Sequence, residues 1–144
     1  MDFVYPARLA PQPEGGFTVT FSDLPEAITE GDDRDEALAM AADCLAAVIG
    51  WRVERRRDIP TPSKIRRGQV GVPVPLQVAA KAALYLAMKR KGVSFSELAR
   101  RLNYSQPLQV RRLIDPNTAT SMKKIDEAVA AMGGRLHVGI DDAV

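Results

Sequence analysis

At 144 residues, 46% hydrophobic and 26% charged, the chain has the composition of an ordinary folded protein of one or two domains. One cysteine, Cys44, excludes an intrachain disulfide and a thiolate zinc site, and one histidine, His137, argues against triad or multi-histidine chemistry. The net charge of +2 conceals an asymmetry: residues 1–63 hold twelve acids against six bases (net −6), and residues 64–144 hold fourteen bases against six acids (net +8). This split predicts two modules, the acidic one suited to a basic protein and the basic one to a polyanion. No apolar run approaches the roughly 18 residues that would span a bilayer, and MDFVYPARLAP carries no basic leader, so a soluble, cytoplasmic protein with no membrane association is expected.

In chain order, FVYPARL (3–9) predicts a first strand, followed by the turn-forming QPEGG (12–16). In GFTVTF, Phe17, Val19 and Phe21 alternate with Thr18 and Thr20, the pattern of a hairpin strand with one buried face. A Pro25 turn leads to a short third strand around Ala27–Thr29. From Asp33 the period changes: Leu38, Ala41, Leu45, Val48, Ile49 and Val53 predict an amphipathic helix of roughly twenty residues. Asp33 is its N-cap with Glu36 as capping-box partner, and Arg55, Arg56 and Arg57 close it at the end that favours cations. The acids Asp32, Asp33, Asp35 and Glu36 do not fit a metal loop. An EF-hand would need glycine where Leu38 stands and glutamate where Cys44 stands. They read as helix-capping charge, and Cys44 as a buried, inert thiol.

These residues carry a resemblance. Gly16-Phe17, Ser22-Asp23-Leu24-Pro25, Thr29-Glu30-Gly31-Asp32, Asp35-Glu36-Ala37-Leu38 and Ile59-Pro60-Thr61-Pro62-Ser63 together resemble the HicB family of antitoxins over residues 1–75. Ser22 and Glu26 depart from it, standing where proline and glycine are common. The resemblance implies a partial ribonuclease-H-like β-β-β-α-β domain that is not a nuclease. It also implies a partner: HicA, a small basic mRNA-cleaving toxin. The first strand contains no carboxylate, in agreement. Exposed acids Glu14, Asp23 and Glu26 are the candidate toxin contacts.

Prolines 60, 62, 73 and 75 mark 58–75 as extended connection, with the basic cluster Lys64, Arg66, Arg67 in its exposed part. QVGVPV (69–74) alternates as a strand, and Pro73 assigns it to a sheet edge. The expected domains are therefore 1–75 and 76–144.

The second half reads as helices. LQVAAKAALYLAMKRK (76–91) is stopped by Gly92, and Ser94 or Ser96 caps FSELARRL. After Asn103-Tyr104, Ser105 caps a third helix through about Ile114, and Thr120 or Ser121 precedes MKKIDEAVAAM. RLHVGI (135–140) alternates as a final strand able to pair across a two-fold axis. GVSFSELARRLNYSQPLQVRRLID resembles the helix-turn-helix of Cro- or XRE-type repressors, with Ala99 at the helix contact and Val110 and Leu113 facing the core. Gln106, Leu108, Gln109, Arg111 and Arg112 are then base-reading candidates, Pro107 replacing one polar contact. Lys89, Arg90, Lys91, Ser94, Lys123 and Lys124 are phosphate candidates. The fold class expected is α+β: the ribonuclease-H-like domain, then an all-α helix-turn-helix domain with a terminal strand.

The reading that results is a non-enzymatic antitoxin and autorepressor. It needs no cofactor, binds a HicA-type toxin and double-stranded operator DNA, and acts as a homodimer or higher even oligomer. The alternatives are a stand-alone regulator with an effector-sensing N-terminal domain, and an RNA-cleaving enzyme, which the missing strand carboxylates disfavour.

Overall fold

The computed structural model describes residues 1–142 and divides into two compact units, Met1–Ala79 and the remainder from Ala80 on. The first contains β1 (Val4–Pro11), β2 (Phe17–Phe21), β3 (Ile28–Gly31), α1 (Arg34–Glu54) and β4 (Val70–Pro73). Their order in the antiparallel sheet is β3-β2-β1-β4. β4 lies at an edge, where Pro73 faces Val4 and the missing N–H breaks no central ladder. Alternation decides the faces: Val19 and Phe21 are buried while Thr20 is exposed, and Tyr5, Ala7 and Val72 complete the buried side.

α1 packs against β2, β3 and β4. Its core stripe is Ala37, Ala41, Leu45, Ile49 and Val53, whereas Leu38 and Val48 are only half-buried. Asp33 caps it, its carboxylate accepting from the Glu36 N–H at 2.8 Å. The reciprocal arm reaches one residue further back than expected: the Asp32 N–H donates to the Glu36 carboxylate at 3.3 Å. β3 starts at Ile28, because Ala27 is held in the preceding turn by donating to the Leu24 carbonyl. Gly31 permits the β3–α1 approach, since a Cβ there would lie 2.3 Å from the Ala37 nitrogen.

The proline-rich connection is stitched to this unit. The Tyr5 hydroxyl donates to the Pro60 carbonyl at 2.7 Å, and Arg52 donates to the Asp58 carbonyl at 2.7 Å. The Ser63 N–H and hydroxyl both donate to the Asp23 carboxylate, at 2.8 and 2.6 Å.

The division between units falls in the first turn of α2 (Leu76–Lys91), which is followed by α3 (Phe95–Arg101), α4 (Pro107–Ile114) and α5 (Met122–Ala131). Leu84, Leu98, Val110, Ile125 and Ala128 form a core with no solvent exposure. Ser94 caps α3 and Ser121 caps α5. The cap of α4 is Gln106, not Ser105, so Pro107 is the first helical residue, where its missing N–H leaves no bond unmade.

The expected terminal strand 135–140 is not formed. Gly133 and Gly134 close α5 by donating to the carbonyls of Ala130 and Val129, and the chain runs on without strand pairing. Val138 and Ile140 are 81% and 92% exposed. A strand exists only by pairing, and among the described residues the second unit has no other strand. The protein is α+β: a four-stranded antiparallel sheet with its helix, then a set of helices.

Candidate functional site

α3 and α4 pack against each other, Ala99 of α3 being buried, with Asn103 in the left-handed conformation (φ 58°) reversing the chain between them. Val110, Leu113 and Ile114 anchor one side of α4 in the core. This turns Leu108, Gln109, Arg111 and Arg112 outward, Leu108 being 49% exposed. The outer surface of a short helix thus carries two arginines, an amide and an apolar side chain, a set that can both attract a polyanion and contact base edges.

The neighbours refine these roles. Gln106 is exposed at the helix start. The Gln109 side-chain oxygen turns back to accept from the Gln106 N–H and the Ser105 hydroxyl, both at 3.1 Å, so its carbonyl works as a cap. Arg111 stacks over the Phe95 ring, with its guanidinium carbon 5.5 Å from the centroid. Arg112 lines a groove of about 350 Å³ together with Tyr104, Gln109, Thr120, Ser121 and Lys124. Two cations from different helices, Arg112 and Lys124, therefore share one concave surface.

The other cationic candidates are spread over the unit. Lys89, Arg90 and Lys91 are exposed at the end of α2, where Lys89 lies over the Tyr85 ring at 5.4 Å. Ser94 is engaged as the α3 cap, and Lys123 is exposed on the first turn of α5. The structure brings only Gln109, Arg112 and Lys124 of the predicted set into the groove.

Two features escaped sequence reasoning. Glu97 accepts from Arg100 at 2.6 Å and from Arg101 at 2.9 Å, and these hydrogen bonds hold its carboxyl below the ordinary range. Lys81 is 3% exposed, and its ammonium donates to the backbone carbonyls of Asp115 and Thr118, just after α4. Burial pushes its pKa down, partly offset by the Asp115 charge. The signal was its position: Lys81 stands three, four and seven residues before Leu84, Tyr85 and Met88, all buried.

In the first unit the acids differ in their duties. Glu14 is exposed in the hairpin turn. Asp23 holds Ser63, and Glu26 accepts from Arg52 through both oxygens, at 2.9 and 2.8 Å. The carboxylates of Asp23 and Glu26 therefore pin the connection and the end of α1. Cys44 is half-buried rather than fully buried, and desolvation raises its thiol pKa, keeping it protonated.

Comparison with known proteins adds a family likeness. Residues 4–83 match the family model described as HicB_like antitoxin of bacterial toxin-antitoxin system. The chain is 40% identical over 134 residues to Antitoxin HicB 2 of Photorhabdus laumondii, covering 93% of this chain and 94% of that one. It is 36% identical over 132 residues to Antitoxin HicB of Escherichia coli K12, covering 92% and 95% respectively. It is 30% identical over 142 residues to Antitoxin HicB of Pseudomonas fluorescens, covering 98% and 96%.

Proposed function

Because this chain belongs to the HicB-like antitoxin family, we propose that it binds and neutralises a HicA-type mRNA-cleaving toxin and represses its own operon as an operator-binding dimer. Toxin binding falls to the sheet and α1, and DNA binding to α3 and α4, as a Cro- or XRE-type helix-turn-helix. The protein works by occupying surfaces, not by catalysis. The β-β-β-α-β order supports the reading of a partial ribonuclease-H-like domain, and β1 (Val4–Pro11) carries no acid on which a two-metal nuclease could be built.

The observation that carries the DNA-binding reading is the outward face of α4. With Val110 and Leu113 buried, Leu108, Arg111 and Arg112 are left for the major groove, and Lys124 stands across the shared groove for a phosphate. Gln106 and Gln109 contribute through their amide NH2 groups, since the Gln109 carbonyl is engaged at the cap. Lys89, Arg90, Lys91, Ser94 and Lys123 supply further backbone contacts, which set affinity without reading sequence. The exposed segment 135–140 pairs with its counterpart in a second copy, producing the two-fold symmetry that palindromic half-sites need.

The experiment is co-expression with the adjoining gene, followed by titration of the purified chain with its own promoter fragment. A stable complex with a small basic protein, relief of that protein's toxicity, and salt-sensitive promoter binding are expected. Absence of both complex and promoter binding refutes the reading.

A further inference from the structure

A helix lying on a sheet is expected to be polar outside its buried stripe, and α1 is not so throughout. On the flank towards β3, Met40, Cys44, Ala47 and Trp51 recur at intervals of four, three and four residues and so share one face. Met40 and Trp51 are 41% and 44% exposed, Ala47 is exposed and Cys44 half-buried. Glu36, Asp43 and Glu54, spaced by seven and eleven residues and all exposed, run along one flank of this ridge. The other flank is β3, a sheet edge hydrogen-bonded only to β2, whose Ile28 is 62% exposed and whose Ile28 carbonyl lies 3.9 Å from the Cys44 sulfur. Arg55 stacks over the Trp51 ring at 5.5 Å, holding the indole in place before any partner arrives.

We infer that this ridge is the docking surface for a cationic protein. Charge selects the occupant: from Glu30 to Arg57 the chain carries seven acids against five arginines, of which Arg52 is paired with Glu26 and Arg55 lies on Trp51, so the acidic excess sits towards the start of α1, around Glu36 and Asp43. That excess disfavours nucleic acid and anionic lipid, and a second copy would set acids against acids. A basic protein gains the flanking charge for orientation and an apolar ridge for affinity, with Trp51 as the central anchor. This rests on the antitoxin reading above and assigns the toxin to α1 and the β3 edge, away from Asp23 and Glu26, whose carboxylates are already engaged.

Trp51 is the single tryptophan of the chain and reports directly on the surface. The probe is the purified toxin encoded beside this protein, with any tryptophan of its own replaced by phenylalanine. Its addition shifts the Trp51 emission to the blue and shields it from acrylamide. Trp51→Ala and, independently, Met40→Lys weaken the complex by about tenfold or more, in keeping with the loss of a buried aromatic or apolar anchor. Asp43→Lys lowers the association rate, and all three variants keep the wild-type circular dichroism and melting curve. A toxin that binds with unchanged Trp51 fluorescence, and equally well to Met40→Lys, overturns this surface while leaving the antitoxin reading intact. A toxin that fails to bind the wild-type chain overturns the antitoxin reading and this inference with it.

Discussion

Lys81 on α2 and Asp115 beyond α4 are joined by a part-buried hydrogen bond, the ammonium donating to the Asp115 carbonyl. The same nitrogen donates to the Thr118 carbonyl, so one cation ties down the turn that leaves the proposed reading helix. Such a charge is costly to desolvate and is retained here by its two carbonyl partners.

Lys81→Met takes the charged donor from both carbonyls and leaves them only the Thr118 N–H and the Thr120 hydroxyl, and a loss of about 1–3 kcal/mol is expected in urea denaturation. The pH dependence has a definite sign. The folded-state pKa of Lys81 lies below 10.5, so the unfolded chain binds more protons between the two values. The Lys81 contribution therefore becomes more favourable as pH rises through its folded pKa towards 10.5, and Lys81→Met lacks that slope.

Arg112→Ala tests α4 as the reading helix. Its side chain is exposed, so the melting point should be unchanged, whereas operator affinity should fall by about 1–3 kcal/mol and the preference over unrelated DNA should shrink. Fluorescence anisotropy with a promoter duplex and a scrambled duplex measures both. Undiminished operator affinity would remove α4 from recognition.

Tyr5 is buried beneath the connection, with its hydroxyl on the Pro60 carbonyl. Burial first, and the Asp23 charge second, push its pKa up to about 12, against a smaller lowering by Arg52. The folded state thus keeps this proton longer than the unfolded chain. The stability it provides is complete below pH 10 and is lost as pH rises from 10 to about 12. In stability measurements above pH 10, Tyr5→Phe should flatten the alkaline decline, and at neutral pH it should cost about 1 kcal/mol for the hydrogen bond.

Gly31→Ala should destabilise the first unit by about 1–3 kcal/mol, because the added carbon meets the α1 backbone rather than a yielding side chain. Chemical denaturation followed by circular dichroism checks it. An unaffected midpoint would mean that β3 and α1 can separate freely.

Deletion of residues 135–144 should convert the proposed dimer to a monomer without loss of helix content, since no residue of 135–142 is buried. Light scattering decides: a truncated chain that remains dimeric places the two-fold contact elsewhere. Val138→Asp is the milder version and should weaken the same association.

Much of the fold was legible because the signals were local. Pro73 marked an edge strand, the pairs Ser94 or Ser96 and Thr120 or Ser121 bracketed two helix starts that Ser94 and Ser121 in fact cap, and the alternation of Phe17, Val19 and Phe21 marked a one-sided strand. These depend on backbone donors and on the periods of strand and helix, which a chain carries in its own order. Leu38 and Val48 show the limit of that logic: both fit the helical pattern, yet the sheet covers Ala37 and Ala41 more completely.

What the order of residues determined by itself was the α+β class, the two-part division of charge, the outward face of α4 and the family pattern. What only the tertiary structure decided was the employment of individual polar groups: Asp23 on Ser63, Glu26 on Arg52, Gln109 at its own helix start and Lys81 beneath Asp115. It also decided that the alternating tail, Arg135 to Ile140, finds no strand within its own unit. Periodicity says which side of an element is apolar. Partners tens of residues apart are chosen by distance and burial in three dimensions, which no local pattern encodes.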